Sequence, residues 1–432
     1  MAEPAENGSV PGEKILYGAD KPPVDNTSLS YYNKLKDLRK KGKFAMNQLH
    51  VSDAVRYVGA DDTTIDLFES QYPVPQGVSY NSYVILDEKT AVMDTVDRRA
   101  TQAWLDNLEE QLAGRRPDYL VLHHLEPDHA GSVGALLEKY PGLTLVGNAK
   151  TFTMLPKYFT YDPQHTVTVK EGDTLSLGAH TLTFVMAPMV HWPEVMVSYE
   201  SSERILFSAD GFGTFGALCS GENWDAEAAR YYFNIVGKYG ASVQALLKKA
   251  GGLDIRTICP LHGPVLRENL GYYIGKYDQW SRYEPEEPQA VLVAYASIHG
   301  NTAQAAGKMV EILKKKGCPK VTAVDLCRED QAVAVELAFR YGRLAAMSPT
   351  YDGGLFPAMD HFMAHLRDKT WRNRRAALIE NGSWAPAAAK AMRGYLEAMK
   401  DVTICETVHT IQGGVKDADI AAMERIADEL LA

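Results

Sequence analysis

"HHLEPDHAG", residues 123 to 131, places two carboxylates and three imidazoles within seven positions, directly after the apolar run "DYLVL". A strand that enters a core and ends in such a segment must do something with its charges. Burying a carboxylate or a charged imidazole without a partner costs several kcal/mol. A bound cation is the simplest group that would neutralise them.

Further along, "MVHWPE" brings His191, "FSADGFG" brings Asp210 and "CPLHGP" brings His262. Each stands at the end of an apolar run, where a strand leaves a sheet. Around them, from about Val55 to Thr257, short apolar or alternating runs recur between turn signals: "YNSYVIL", "AVMDTV", "LTLVG", "HTVTV", "HTLTFVM", "VMVSY" and "RILFSAD". Helical stretches such as "TQAWLDNLEEQL" and "ARYYFNIVGKYGASVQALLKKA" interrupt them. Many strands with helices between them predict a layered α/β or α+β domain rather than a barrel.

At "RYEPEEPQA", residues 282 to 290, the texture changes. Prolines around glutamates predict an exposed linker separating two cores. Beyond it strands and helices alternate regularly. The strands read "VLVAYA", "VTAVDL", "LAAMS", "RAALIEN" and "VTICETV", with helices beginning near Asn301, Val333, Pro357, Ala385 and Ala418. Five such units predict a doubly wound parallel sheet. The expected division is therefore 1–45 as a polar extension, 46–284 as the first domain and 289–432 as the second.

The first strand of the second domain runs into Ser297-Ile298-His299-Gly300-Asn301-Thr302. Small hydroxyl residues and a glycine here let backbone N–H groups and hydroxyls ring an anion at a helix N-terminus. The bland alternative is a plain capping loop, with Asn301 or Thr302 as the cap. No G-x-G-x-x-G fingerprint or Walker lysine is present, which favours a mononucleotide over a dinucleotide or triphosphate. Two more loops, Ser348-Pro349-Thr350-Tyr351-Asp352-Gly353-Gly354 and Asn381-Gly382-Ser383-Trp384, follow strands three and four. In this topology all three converge where FMN binds in flavodoxin-like folds, with Tyr351 and Trp384 placed to flank its ring.

The whole chain sets the remaining bounds. Its 432 residues exceed one ordinary domain. A net charge of −10 argues against a general nucleic-acid binder. No apolar run reaches membrane-spanning length and no secretory signal opens the sequence, so a cytoplasmic location is expected. Cys219, Cys259, Cys318, Cys327 and Cys405 are scattered, with no C-x-x-C pair, which excludes a rubredoxin-like or zinc-ribbon module within these residues.

The order of His124, Glu126, Asp128, His129, His191, Asp210 and His262 resembles the metallo-β-lactamase-like αββα fold. The zinc hydrolases of that fold carry H-x-H-x-D-H, and Glu126 replaces the second histidine here. A carboxylate in place of an imidazole suits iron or manganese better than zinc. Two divalent cations against Glu126, Asp128 and Asp210 leave one positive charge, which a hydroxide would balance.

H-x-E-x-D-H followed by a flavodoxin-like domain resembles the flavodiiron proteins over about residues 50 to 432. The resemblance implies an oxidoreductase that reduces dioxygen to water, nitric oxide to nitrous oxide, or both, at a non-haem di-iron centre fed by FMN. It implies one iron on His124, Glu126 and His191, a second on Asp128, His129 and His262, and Asp210 bridging both. It implies Tyr231 or Tyr232 in the substrate pocket, and places Glu69 or its neighbours where many members carry a pocket histidine. It also implies an external electron carrier, rubredoxin or another small redox protein or reduced coenzyme, and a head-to-tail homodimer or dimer of dimers. His123, pointing to the opposite face of its strand, is read as structural, and Trp192 as a shield for the site. The alternatives are a zinc hydrolase carrying a flavodoxin domain and a flavin electron carrier with a scaffold domain.

Overall fold

The computed structural model describes residues 50–221 and 224–432; the expected polar extension over residues 1–45 lies outside them. The described residues belong to one compact unit.

In the first half, strand residues alternate between two apolar destinations, as the two-residue strand period requires. One six-stranded sheet runs in the order Val55–Tyr57, Tyr83–Leu86, Thr90–Met93, Tyr119–Val121, Thr144–Asn148 and Thr166–Val169. A five-stranded sheet runs Thr174–Ser176, Thr181–Met186, Met196–Glu200, Ile205–Phe207 and Thr257–Cys259. Val121, Val146, Phe184, Met196 and Phe207 meet in the core between the sheets. Their neighbours Leu120, Leu145, Val185, Val197 and Leu206 face outward into a second core shared with the helices. The result is the αββα layering that the metallo-β-lactamase-like resemblance implied.

The helix expected at "TQAWLDNLEEQL" forms over Thr101–Leu112, burying Trp104, Leu108 and Leu112 at i, i+4 and i+8. The second expected helix is broken. An α-helix over Trp224–Tyr231 passes into a π-turn at Tyr232–Val236 and a 3₁₀ turn at Gly237–Tyr239 before Gly240–Ala250 resumes. The π-turn frees the Asn234 carbonyl from the helical ladder, and it accepts bonds from Tyr72 Oη and Lys369 Nζ.

The second half is the expected parallel sheet, in the spatial order Val321–Asp325, Glu287–Tyr295, Tyr341–Tyr351, Arg374–Asn381 and then the last strand. That last strand is two pieces. Val402–Ile404 pairs with Arg374–Ala376, and His409–Ile411 pairs with Ile379–Asn381. Between them Thr407 turns aside to the Glu429 carboxylate, with its backbone N–H 3.0 Å from Oε2.

The linker is exposed only in part: Arg282, Glu284, Pro288 and Gln289 face solvent, but Glu286 does not. The Glu286 side chain is 8% exposed, paired with Lys276 at 2.6 Å and Arg340 at 2.6 Å. The two cores are not separate either. Phe233 stacks on Phe339 at 4.9 Å, Asn234 Nδ2 donates to the Ala332 carbonyl at 3.1 Å, and Arg230 pairs with Asp330 at 2.8 Å. One apolar cluster runs through this seam.

Candidate metal centre and flavin cleft

His124 lies two residues past Leu122 as the chain leaves the strand Tyr119–Val121, and Pro127 starts a single helical turn, Pro127–Ala130. Glu126 is the N-cap of that turn, and Asp128 and His129 lie inside it. Proline is suited to this first position, where its missing N–H costs nothing. Thr95 fixes the turn by donating its hydroxyl to the His129 carbonyl at 2.6 Å. His191, Asp210 and His262 leave the strands Thr181–Met186, Ile205–Phe207 and Thr257–Cys259, all in the second sheet.

These seven residues converge into two groups, His124, Glu126, His191 and Asp210 on one side and Asp128, His129 and His262 on the other. Asp210 divides its two oxygens between them. Oδ2 lies 3.2 Å from His124 Nε2 and 3.3 Å from His191 Nε2. Oδ1 lies 3.1 Å from His129 Nε2 and 3.8 Å from His262 Nε2. Glu126 Oε2 closes the first group at 3.2 Å from His124 and 3.0 Å from His191. Asp128 Oδ2 closes the second at 3.1 Å from His262 and 3.3 Å from His129.

Electrostatics follow from this crowding. Burial opposes ionisation of Asp210, but the facing His124 and His129 imidazoles outweigh it and hold the carboxyl well below its ordinary range. Glu126 is likewise held low against burial by His124 and His191. Burial disfavours the charged imidazoles, yet the carboxylates raise His124 well above its usual range and bring His191 up to about 9. Desolvation and then the Glu126 charge push Glu69 up to about 7.

The residues fit a pair of hard-to-borderline cations. Asp128 Oδ1 is a buried carboxylate oxygen with no hydrogen-bond partner, a costly arrangement without a positive charge to face. Four Nε2 atoms point inward, while the other ring nitrogen of two of them is already engaged. His124 Nδ1 lies 2.9 Å from Glu194 Oε1, and His262 Nδ1 lies 2.7 Å from the Ser79 carbonyl. Such outer partners fix the tautomer and ring orientation of metal-binding histidines.

His123 turns away from the cluster, as its strand position requires. Its ring nitrogens lie 2.5 Å from Asp94 Oδ2 and 2.8 Å from Ser198 Oγ. Trp192 covers the edge of His124 at 5.2 Å between rings. Of the two tyrosines, Tyr231 packs on His262 at 5.6 Å, whereas Tyr232 turns into the aromatic group of Tyr277 and Trp280. Glu194, Asp94 and Ser79 were missed in the sequence, where each is an isolated polar residue far from the histidine it holds.

The second site is a cleft of about 590 Å³ at the strand ends of the C-terminal half. Its walls are the three expected loops: Ser297, Ile298, His299, Asn301 and Thr302; Pro349 to Gly353; and Asn381 to Trp384. Ala385 and Gly413 also line it. Gly300, Ser348 and Gly354, expected among the walls, do not. Ser348 is fully buried beneath the loop, and Gly354 pairs with Tyr351 in a short antiparallel ladder. Asp352 and Gly353 both take positive φ, which turns the second loop tightly back on itself. Thr350 Oγ1 accepts from the Ala387 and Ala388 N–H groups at 2.8 and 3.1 Å, tying the second loop to the third. Trp384 is 82% exposed and Tyr351 44%, so both aromatic faces are open at the cleft mouth.

A family model described as "ODP family beta lactamase" matches residues 78–263. A nitric oxide reductase of Moorella thermoacetica is 28% identical over 380 residues, covering 86% of this chain and 94% of that one. The rubredoxin oxygen:oxidoreductase of Desulfovibrio gigas superposes with a TM-score of 0.83 at 26% identity, covering 88% of this chain and 97% of that one. The flavodiiron protein of Giardia intestinalis superposes with a TM-score of 0.82 at 25% identity, covering 88% and 96%.

Proposed function

The chain belongs to the flavodiiron protein family, and on that premise we propose that it reduces dioxygen to water, nitric oxide to nitrous oxide, or both. The observation that carries this reading is Asp210 reaching into both ligand groups, one oxygen to each. One iron would sit on His124, Glu126 and His191 and the other on Asp128, His129 and His262, with Asp210 between them. FMN would occupy the C-terminal cleft. When bound, the irons and the flavin supply electrons and open positions for the gas.

The chain's own residues do the rest. Glu194 and the Ser79 carbonyl hold the His124 and His262 rings in register. Tyr231, its ring tilted against His262, walls the pocket, and Trp192 closes the side next to His124. Burial and the Glu126 charge raise the Glu69 carboxyl above its ordinary range.

The functional halves are 46–284 and 289–432, in a cytoplasmic enzyme supplied by an external carrier such as rubredoxin, another small redox protein or a reduced coenzyme. Among the described residues, no helix is long and apolar enough to cross a membrane. Electrons pass between subunits of a head-to-tail homodimer or dimer of dimers. Two features support this arrangement: no proposed metal ligand lines the flavin cleft, and the aromatic rim of that cleft is open.

Anaerobic stopped-flow tests the activity. Fully reduced protein mixed with dioxygen, and separately with nitric oxide, is expected to reoxidise its flavin within the mixing experiment for at least one gas. Reoxidation by neither gas would overturn the reading.

A further inference from the structure

Resting on the reading that the C-terminal cleft takes a flavin, we propose that His299 is the counter-group of the flavin phosphate. It would set the preference of the cleft for a flavin monophosphate over the unphosphorylated flavin.

The loop from Ser297 to Thr302 is already shaped around an anion. Ser297 Oγ accepts from the Gly300 and Ala303 N–H groups at 3.1 and 3.2 Å, so its own proton is free to be donated outward. Gly300 takes φ +89°, which glycine adopts without strain and which turns the chain into the helix Asn301–Lys315. The backbone N–H groups of Ile298, His299, Asn301 and Thr302 have no acceptor among the described residues. The first turn of the helix holds no acidic residue to compete for its positive end.

Amides and a helix end supply partial charges, whereas a phosphate monoester carries about −1.5 to −2 at neutral pH. Nothing else around the cleft can balance that. Its lining contains no lysine and no arginine, and its one carboxylate, Asp352, adds negative charge. His299 is the single lining side chain able to carry a positive charge. It is exposed on the phosphate loop itself and makes no hydrogen bond with any described residue, so both ring nitrogens are available. A ring placed there donates a charge-assisted bond to the phosphate, whereas riboflavin ends in a neutral hydroxyl that offers no charge to pair with.

The test uses the full chain, stripped of flavin and titrated with FMN and with riboflavin, following the quenching of flavin fluorescence. His299→Ala is expected to weaken FMN about tenfold and to leave riboflavin unchanged within about twofold, the size of one charge-assisted bond. His299→Lys should hold FMN near the wild-type affinity, and His299→Asn should behave like His299→Ala. Because the side chain is exposed, all three variants should melt with the wild type. If His299→Ala weakens both flavins equally, or neither, the phosphate role is wrong. If His299→Asn restores FMN as fully as His299→Lys, a neutral donor suffices and the charge assignment is wrong. If the wild type takes neither flavin, the cleft reading itself falls and this inference with it.

Discussion

The metal cluster and the flavin cleft are built from opposite materials. The cluster is side chains in a closed interior: His124, His129 and His262 are fully buried and Asp210 is 1% exposed. The cleft is backbone at an open edge, made from amides, turns at Gly300, Asp352, Gly353 and Ala385 with positive φ, and a tryptophan 82% exposed. A site made of buried side chains fails when one atom is lost, because the partners left behind remain buried and unpaired. A site made of backbone spreads its interactions over many weak groups, so single substitutions remove a small share.

Asp210→Ala should have the largest effect. Both ligand groups lose the acceptor they share, so metal content should fall below about a tenth of the wild type at both positions, while flavin content is unchanged. Elemental analysis beside flavin absorbance reads this directly; full metal retention would dissolve the contrast between the sites.

Phe339→Ala tests whether the two sites share one fold. Removing a ring stacked on Phe233 across the seam should cost about 3–5 kcal/mol, within one calorimetric transition for both halves. Two separated transitions, with the metal half unshifted, would show that the seam does not couple the cores.

Glu194→Gln keeps the volume and removes the carboxylate beside His124 Nδ1. Metal affinity should drop about tenfold or more, as for other outer partners of metal-bound histidines. An unchanged affinity by competition with a chelator would mean that the ring is held by packing alone. Trp384→Ala should be the mildest, about 0.5–1.5 kcal/mol in flavin binding by the usual worth of one aromatic contact. A loss as steep as that at Asp210 would mean the cleft depends on one side chain after all.

The same contrast governs what the sequence revealed. The seven proposed ligands were legible because costly residue types recur at the ends of apolar runs, and the chain has few ways to bury them. Their supports were not. Glu194 lies 70 residues from His124, Asp94 lies 29 from His123, and Ser79 lies 183 from His262. A contact made only by folding leaves no local pattern. Loop positions at the cleft were legible from topology, but the depth of each residue was not, so Ser348 proved buried and Gly413 proved to be a wall. The linker misled for a related reason. Its Pro and Glu content reads as solvent-exposed, whereas Lys276, Trp280 and Arg340 draw Glu286 inward. The π-turn at Tyr232–Val236 interrupts a run read as one helix, and it coincides with bonds at Asn234 to residues far away in sequence.

The central claim is that each chain carries two cation sites sharing Asp210 and one flavin cleft, and one stoichiometry tests it most directly. Protein purified without oxygen should contain about two irons and one FMN per chain, as the carboxylate-rich ligand set and the phosphate loop require. Two zinc ions per chain, with hydrolase activity and no flavin, would contradict it.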